Sequence, residues 1–331
     1  MRVGYEELHL TLLRALLKVG VGQGRADLCA RLFADTDRDG VYTHGLQRFP
    51  RFLEQVRRGV VRIHARPELV TAAGALERWD GRRGPGNLGA HHSMLRALEL
   101  SREHGVGCVA LRETNHWMRG GSYGWLAADA GCVGVCWTNT MPNLPPWGAR
   151  EARLGNNPLV VAVPRPGGHV VLDMAMSQFS YGALAAYRAR GERLPVAGGF
   201  DAEGRLTQDP GAVEDSMRPL PAGFWKGSGL ALMLDLTAAL LSGGLATHQI
   251  PADAVEESGL SQVFLAFSLS ALGGREAASK MADEVIEHFR QSPSGGDEVR
   301  YPGERVLNVR RENTEKGIPV DPEVWEQVKS L

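Results

Sequence analysis

An imidazole and a guanidinium stand four residues apart at His44 and Arg48, in a stretch from Thr36 to Arg51 that also carries Gly40, Gly45 and Pro50. On a helical turn that spacing puts both on one face, a titratable proton beside a fork that grips a carboxylate. The pair points to chemistry on a small acid. The same pattern on an amphipathic helix also serves as a solvated face or a structural ion pair. The glycines and the proline weigh toward function without excluding the other reading, because they set this histidine at the edge of an element, where functional groups gather.

A second candidate is His116, in the run Glu113 to Gly124. That run follows an apolar strand and precedes a helix. Open α/β sheets bind ligands at the carboxyl ends of strands, and helix amino ends expose unpaired amides. A histidine there also serves as a helix cap or a bonded core residue. The matching loop Thr138 to Gly148 holds Pro142, Pro145 and Pro146, which stiffen it into a wall or a rigid connector. Further on, Pro221 to Gly229 places glycines and Lys226 ahead of an apolar helix, a plausible phosphate seat. Neither a G-x-G-x-x-G turn nor a G-x-x-x-x-G-K-[ST] loop is present, so the usual nucleotide fingerprints are missing.

Several elements must position these groups. Leu8, Leu12, Leu13, Leu16 and Leu17 recur at helical spacing over residues 5–19, and Leu28, Leu32 and Phe33 repeat the pattern over 25–36. A third helix starts at Pro50. Two short strands follow near Leu69 and Leu76, then a helix from Asn87 to Glu103 and a strand from Val106 to Leu111. A helix over 121–130, ended by Gly131, and a strand from Val133 to Trp137 repeat the unit, which signals a layered α/β core. A hairpin over 159–163 and 169–174, a helix from Leu230 to Leu241, a strand from Ser261 to Leu272 and a helix over 275–290 complete the middle. A loose segment runs from Gln291 to Glu298. The chain closes in helices, the last capped by Asp321 ahead of Pro322.

Composition narrows the class. A chain of 331 residues makes one large or two ordinary domains and buries about 75% of its extended surface. With 37 basic and 38 acidic side chains the formal charge is −1, which gives no field for nucleic acid or an anionic membrane. Cys29, Cys108, Cys132 and Cys136 form no disulfide framework and fit a reducing cytoplasm. The amphipathic N-terminus shows no secretory signal, and no run of 18 apolar residues is long enough to span a bilayer. The expectation is a soluble cytoplasmic protein.

Taken in order, Gly40-Val-Tyr-Thr-His-Gly45, Arg48-Phe-Pro-Arg51, Asn115-His-Trp-Met-Arg-Gly-Gly-Ser-Tyr-Gly-Trp125, Pro145-Pro-Trp-Gly148, Phe179-Ser-Tyr-Gly182 and Phe224-Trp-Lys-Gly227 resemble the malate/lactate dehydrogenase superfamily that lacks a Rossmann domain. The likeness runs essentially end to end. It implies an α/β (α+β) fold whose NAD(P)-binding core is an unusual mixed sheet, packed with N- and C-terminal helices. Residues 1–66 with 273–331 would form the helical domain and residues 67–272 the cofactor-binding one. It also implies a homodimer with its active site near the subunit interface, and a reductase of 2-oxo acids using NADH or NADPH.

By the same resemblance the cofactor is held by His169, Val170, Val171, Leu172, Asp173, Met174 and Ala175, by Trp225 and Lys226, and by Gly303, Glu304 and Arg305. The proton donor matches His44 and the second active-site histidine matches His116. Thr43 stands where many relatives have serine, a hydroxyl for a hydroxyl. Hydride arriving at a carbonyl carbon leaves a developing alkoxide, which an imidazolium neutralises. Arg48 would hold the neighbouring carboxylate, His116 a nearby oxygen, and Thr43 or Asn115 substrate hydroxyls. Other 2-oxo or 2-hydroxy acids, such as malate, lactate or ureidoglycolate-like compounds, suit the same parts. A metal-dependent sugar-acid lyase is the rival, but adjacent His91 and His92 point about 100° apart on a helix and no ligand set completes them. No metal is expected.

Overall fold

The chain opens with a two-residue strand, β1 (Arg2–Val3), and three helices, α1 (Tyr5–Lys18), α2 (Gln23–Arg38) and α3 (Phe49–Arg57). Leu8, Leu12 and Leu16 make the buried stripe of α1, and Ala26, Cys29, Ala30 and Phe33 make that of α2. Next come β2 (Glu68–Ala73), β3 (Leu76–Asp80), α4 (Gly86–His104), β4 (Val106–Thr114), α5 (Gly121–Asp129), β5 (Cys132–Thr138), β6 (Leu159–Val163) and β7 (Val170–Met174). Then follow α6 (Tyr181–Ala189), β8 (Gly199–Phe200), β9 (Leu206–Thr207), α7 (Pro210–Ser216), α8 (Trp225–Ser242) and β10 (Leu260–Ser268). The chain ends with α9 (Arg275–Arg290), α10 (Glu304–Lys316), β11 (Ile318–Pro319) and α11 (Pro322–Ser330). This computed structural model describes residues 1–293, 295 and 299–331, so the expected loose segment Gln291 to Glu298 lies in part outside the described residues.

Seven strands form one sheet in the order β2-β3-β4-β10-β5-β6-β7. Strand β10 runs antiparallel to both its neighbours, β4 and β5, whereas β3 and β4 are parallel. The carboxyl ends of β4 and β5 therefore meet the amino end of β10 at one edge of the sheet. Antiparallel pairing of β5 with β6 and of β6 with β7 brings the start of β6 and the end of β7 to that same edge. The sheet is mixed, as expected, and five strand ends converge on one rim.

Alternation along the central strands builds two cores. On β10, Phe264 and Ala266 face α4 and α5 with Met94, Trp117 and Tyr123, while Val263 and Leu265 face α8 with Ala231, Leu234 and Ala238. Burial on both faces explains why these strands read as continuous apolar runs. A separate cluster joins α1, α2 and α3 to the C-terminus through Leu8, Phe33, Phe49, Phe52, Ile318 and Trp325. The Asp321 carboxylate caps α11 by accepting the Glu323 and Val324 amides.

Three local expectations are corrected. His44 and Arg48 do not share a helical turn: Tyr42–His44 and Leu46–Arg48 are two short 3-10 turns broken at Gly45. Helix α8 begins at Trp225, so Lys226 lies in its first turn and not in a loop ahead of Leu230. Strand β10 ends at Ser268, and Ser270–Leu272 is a 3-10 turn. Residues 176–224, to which no helix or strand is assigned from the sequence, hold α6, β8, β9 and α7.

A buried carboxylate sets the break at Gly45. Asp37 Oδ2 accepts the Leu46 amide at 2.6 Å, and a Cβ built on Gly45 would stand 2.3 Å from three atoms of that carboxyl group. Only glycine lets the chain pass so close. From the other side Asn313 Nδ2 donates to the carbonyls of Asp37 and Arg38 and to the Tyr42 hydroxyl. Gly45→Ala should therefore lower unfolding free energy by about 1–3 kcal/mol, the cost of forcing extra volume into packed structure. Gly24→Ala, on α2 with nothing within 4 Å of the added methyl, should leave it unchanged or raise it by up to about 1 kcal/mol. Urea denaturation of both variants checks this, and equal losses would reject the Asp37 contact as the cause.

Candidate active site

The rim where five strand ends meet encloses a cavity of about 500 Å³. His116 enters it from the loop after β4, Thr140 and Met141 from the loop after β5, and Tyr181 and Gly182 from the segment after β7. Glu257 comes from the loop before β10, and the two 3-10 turns add Thr43, His44 and Arg48, with Arg51 from α3. Gly182 packs against Thr43, where a Cβ would stand 2.8 Å from the threonine side chain.

The imidazoles of His44 and His116 lie face to face, with ring centroids 5.9 Å apart and planes 22° from parallel. His116 Nδ1 accepts the Met118 amide at 3.1 Å, so the neutral ring carries its proton on Nε2. His44 Nδ1 lies 3.0 Å from the Thr43 hydroxyl, which leaves Nε2 as the free nitrogen. Both rings are packed within the protein and open to the cavity. Burial lowers the His44 pKa to about 4, helped by the charges of Arg48 and Arg119. Burial also holds His116 well below the ordinary histidine range, with Arg48, His44 and Arg51 acting in the same direction.

Arg48 shows the same shortage of negative charge. Burial lowers its guanidinium to about 10, with Glu257 opposing the shift and Arg51 adding to it. Its nearest carboxylate oxygen, Glu257 Oε2, stands 3.7 Å from Nη2, beyond hydrogen-bond length. The fork is thus near a counter-charge without being occupied by it. An anion entering the cavity would meet two guanidiniums and two neutral imidazoles.

Of the residues expected to bind substrate, Thr43 and Arg48 line the cavity and Asn115 does not. Asn115 is 2% exposed, and its Nδ2 donates to the carbonyls of Arg83 at 2.8 Å and Gly84 at 2.9 Å. It fastens the loop that carries His116. Gly86 lies against the Asn115 and His116 carbonyls, where a Cβ would come within 2.3 Å of both oxygens. The direction of the Asn115 side chain could not be read from the sequence.

The residues expected to hold the cofactor flank one strand. Val170 to Met174 form β7, at the edge of the sheet, between His169 and Ala175. At its start the Val171 amide donates to the Pro302 carbonyl at 2.9 Å, which brings Gly303 against the strand and opens α10 with Glu304 and Arg305. Gly303 has φ of +94°, and a Cβ there would be 3.0 Å from the Val171 nitrogen. Asp173 Oδ2 accepts the Gly121 amide at 2.7 Å, at the amino end of α5. Beyond its end, the Ala222 amide donates to the Met176 carbonyl, which leads the chain to Trp225 and Lys226 at the start of α8. His169 is turned aside, its ring bonded to Asp129 and to the Arg165 amide.

Several site residues were not singled out from the sequence. Arg51 and Tyr181 sit inside quoted motifs and carried a signal of that kind. Glu257 carried none, because Glu256-Glu257-Ser258 reads as a solvated loop. Nor did Asp39, which is buried and holds Arg119 Nη1 at 2.5 Å and Arg310 Nε and Nη2 at 2.7 Å each. Burial alone would raise its carboxyl group, and the two guanidiniums hold it below the usual carboxylate range.

The sequence profile of the malate/L-lactate dehydrogenase family matches residues 3–329. The 2,3-diketo-L-gulonate reductase of Citrobacter koseri is 46% identical over 335 residues, and that of Shigella boydii 44% over 333, each comparison spanning both chains in full. Among solved structures, sulfolactate dehydrogenase from Methanocaldococcus jannaschii superposes with a TM-score of 0.92 at 28% identity, covering all of this chain and 96% of that one. With the paired histidines, the arginine fork and the mixed sheet in the same molecule, the chain belongs to the malate/L-lactate dehydrogenase family of oxidoreductases.

Proposed function

We propose that the protein reduces 2-oxo acids at the expense of NADH or NADPH, with 2,3-diketo-L-gulonate, the acid named in the relatives at 44–46% identity, as its substrate. The observation that carries this reading is the stacked pair His44 and His116 beside Arg48 in one cavity. A carboxylate fits the fork, and a carbonyl next to that carboxylate comes within the reach of an imidazole.

The chain's residues fit a nicotinamide dinucleotide. Gly303 leaves a cradle against β7 that a side chain would fill, and Trp225, 66% exposed, offers a bare aromatic face beside Lys226. A planar ring and a cation are the donors that a base and a diphosphate require. Residues 169–175, Trp225, Lys226 and 303–305 would hold the dinucleotide, which supplies the hydride when bound. Everything else falls to the protein.

Arg48 takes the substrate carboxylate in a bidentate grip and so fixes the carbonyl in register. His116, neutral with its proton on Nε2, donates a hydrogen bond to a neighbouring oxygen. His44 delivers the proton from Nε2, its Nδ1 being held by Thr43. Charge balance times the delivery. In the free protein burial, with Arg48 and Arg119 adding to it, keeps the His44 ring unprotonated, and a bound carboxylate offsets the Arg48 share and so favours uptake of the proton.

The same reading makes the protein a cytoplasmic homodimer. All four cysteines are unpaired, and α8 exposes Leu232, Met233, Leu236 and Leu240, an apolar face of the kind that protein interfaces cover. Among the described residues no helix is long and apolar enough to cross a membrane. The division into residues 1–66 with 273–331 and residues 67–272 belongs to the proposal too, supported by the separate core of α1, α2, α3 and α11.

Nicotinamide absorbance tests the activity directly. Purified protein should oxidise NADH or NADPH with 2,3-diketo-L-gulonate faster than with other 2-oxo acids, and a chelator should not slow it. Failure of every 2-oxo acid to support oxidation would reject the reading. Arg48→Lys should raise KM for the acid while leaving cofactor affinity unchanged, because a point charge cannot reproduce a planar fork. Weakened cofactor binding with an unchanged KM would move Arg48 to the nucleotide site.

His44→Asn should cut the rate by roughly 10²- to 10⁴-fold with cofactor binding intact, and should remove the titration of reduction. His116→Asn should keep that titration at a lower rate, and the reverse pattern would exchange the two roles. Reduction needs the protonated form of His44, whose pKa in the free protein is about 4. Thus kcat/KM, which reports the free enzyme, should decline as pH rises above about 4. The break in kcat should lie at higher pH, since the bound carboxylate has offset Arg48. Coincident breaks would show that carboxylate binding and proton uptake are not coupled.

A further inference from the structure

Glu257 is a carboxylate placed where an anion-binding site has no evident use for one. Its side chain is 5% exposed and lines the cavity beside Arg48 and Arg51. One oxygen, Oε1, accepts the Met141 amide at 3.2 Å, which fastens the group to the loop after β5. The other, Oε2, stands 3.7 Å from Arg48, too far to occupy the fork and close enough to act on its charge. An ionised carboxylate offers about four acceptor positions, so this one keeps capacity turned toward the ligand space.

The charges can be accounted for group by group. Arg48, Arg51, Glu214 and Glu257 are the acidic and basic side chains that line the cavity beside the two histidines, which burial keeps neutral. Burial also raises the Glu257 carboxyl, and Arg48, the Met141 amide and Arg51 pull it back toward the charged form. Glu214 is turned to Arg188 at 3.2 Å, a guanidinium it shares with Asp215 at 3.3 Å. Beside the fork itself that leaves the guanidiniums of Arg48 and Arg51 against Glu257. A substrate with one carboxylate balances those three groups. A second carboxylate would leave an uncompensated negative charge in a partly desolvated space, which is costly. Nor could it escape Glu257 by distance. A cavity of about 500 Å³ is roughly 10 Å across, no wider than a Debye length in ordinary buffer.

We infer that Glu257 sets the charge that the site accepts: it admits monocarboxylic 2-oxo acids, gives an acceptor to hydroxyls on their chain, and turns away 2-oxo dicarboxylic acids. The inference rests on the reductase reading and sharpens it to a substrate class. Glu257 acts by contact with the substrate chain and by its field, and it takes no part in moving the proton. Its tether to Met141 matters here, because a carboxylate free to swing would follow Arg48 and leave the space to a second anion.

The test compares kcat/KM for 2,3-diketo-L-gulonate and pyruvate with that for oxaloacetate, in the native enzyme and in Glu257→Gln and Glu257→Asp. The native enzyme should disfavour oxaloacetate. Glu257→Gln keeps an oxygen for the Met141 amide and removes the charge, so the ratio of dicarboxylate to monocarboxylate should rise on the order of 10- to 100-fold, with an absolute gain for oxaloacetate. Glu257→Asp retains the charge and should retain the native ratio even where both rates fall. A uniform loss in Glu257→Gln with an unchanged ratio would reduce Glu257 to a structural prop and overturn the inference.

Should Glu257→Gln fail to fold, competitive inhibition of the native enzyme by succinate and by butyrate decides the same point. Butyrate should inhibit the more strongly, and stronger inhibition by succinate overturns the charge rule. The two readings fail separately. An enzyme that reduces oxaloacetate as well as pyruvate keeps its reductase assignment and loses this one. If no 2-oxo acid is reduced, calorimetric titration of the protein with succinate and with butyrate still shows which charge the cavity admits.

Discussion

Asp39 holds Arg119 and Arg310 by short bonds and Arg38 Nε at 3.3 Å, and both Asp39 and Arg119 are 3% exposed at their side chains. A buried ion cluster of this kind is stable only while its members stay together, because removing one partner leaves an uncompensated charge at a cost of about 3–5 kcal/mol. Asp39 follows α2 by one residue and precedes His44 by five. Arg119 follows His116 by three. Arg310 lies within α10, which opens at the Gly303 turn, and its guanidinium also covers the Trp125 ring at 4.6 Å. One carboxylate thus locks together the turn bearing the first histidine, the loop bearing the second and the helix that presents the cradle beside β7.

The cluster also shapes the chemistry. A single carboxylate offsets only part of the charge of its guanidiniums, and Arg119 contributes to lowering the His44 pKa. Arg48 and Arg51 add to the positive field over the imidazoles, and Glu257 answers only part of it. Burial pushes the Glu257 carboxyl up while Arg48, the Met141 amide and Arg51 pull it back. The empty site is therefore electrostatically incomplete. Negative charge brought beside Arg48 would favour charging an imidazole, which suits a reaction that adds hydride and proton to a carbonyl beside a carboxylate.

Much of the scaffold was legible because burial on defined faces writes itself into residue order. The leucine stripe of α1 and the apolar runs of β4, β5 and β10 have the periods that their environments require. Asp321 ahead of Pro322 announced the last helix by its capping chemistry. Residues 176–224 were opaque. Their short elements bury few side chains, Leu184, Leu194 and Val213 among them, and so leave little periodic signal.

By itself, the sequence determined most of the elements outside residues 176–224, the alternation of strand and helix there, and which motifs tie the chain to its family. Those properties are local or repetitive, and a few residues suffice to express each. Only tertiary structure decided that His44 faces His116 across 72 positions of chain, that Asn115 Nδ2 is bonded to backbone carbonyls, and that Glu257 looks into the cavity and not into solvent. The direction of a polar side chain depends on which partners lie within about 3 Å of it. Here those partners come from other strand ends, brought to one rim by the antiparallel placement of β10, a pairing between segments far apart in the chain that no local pattern encodes.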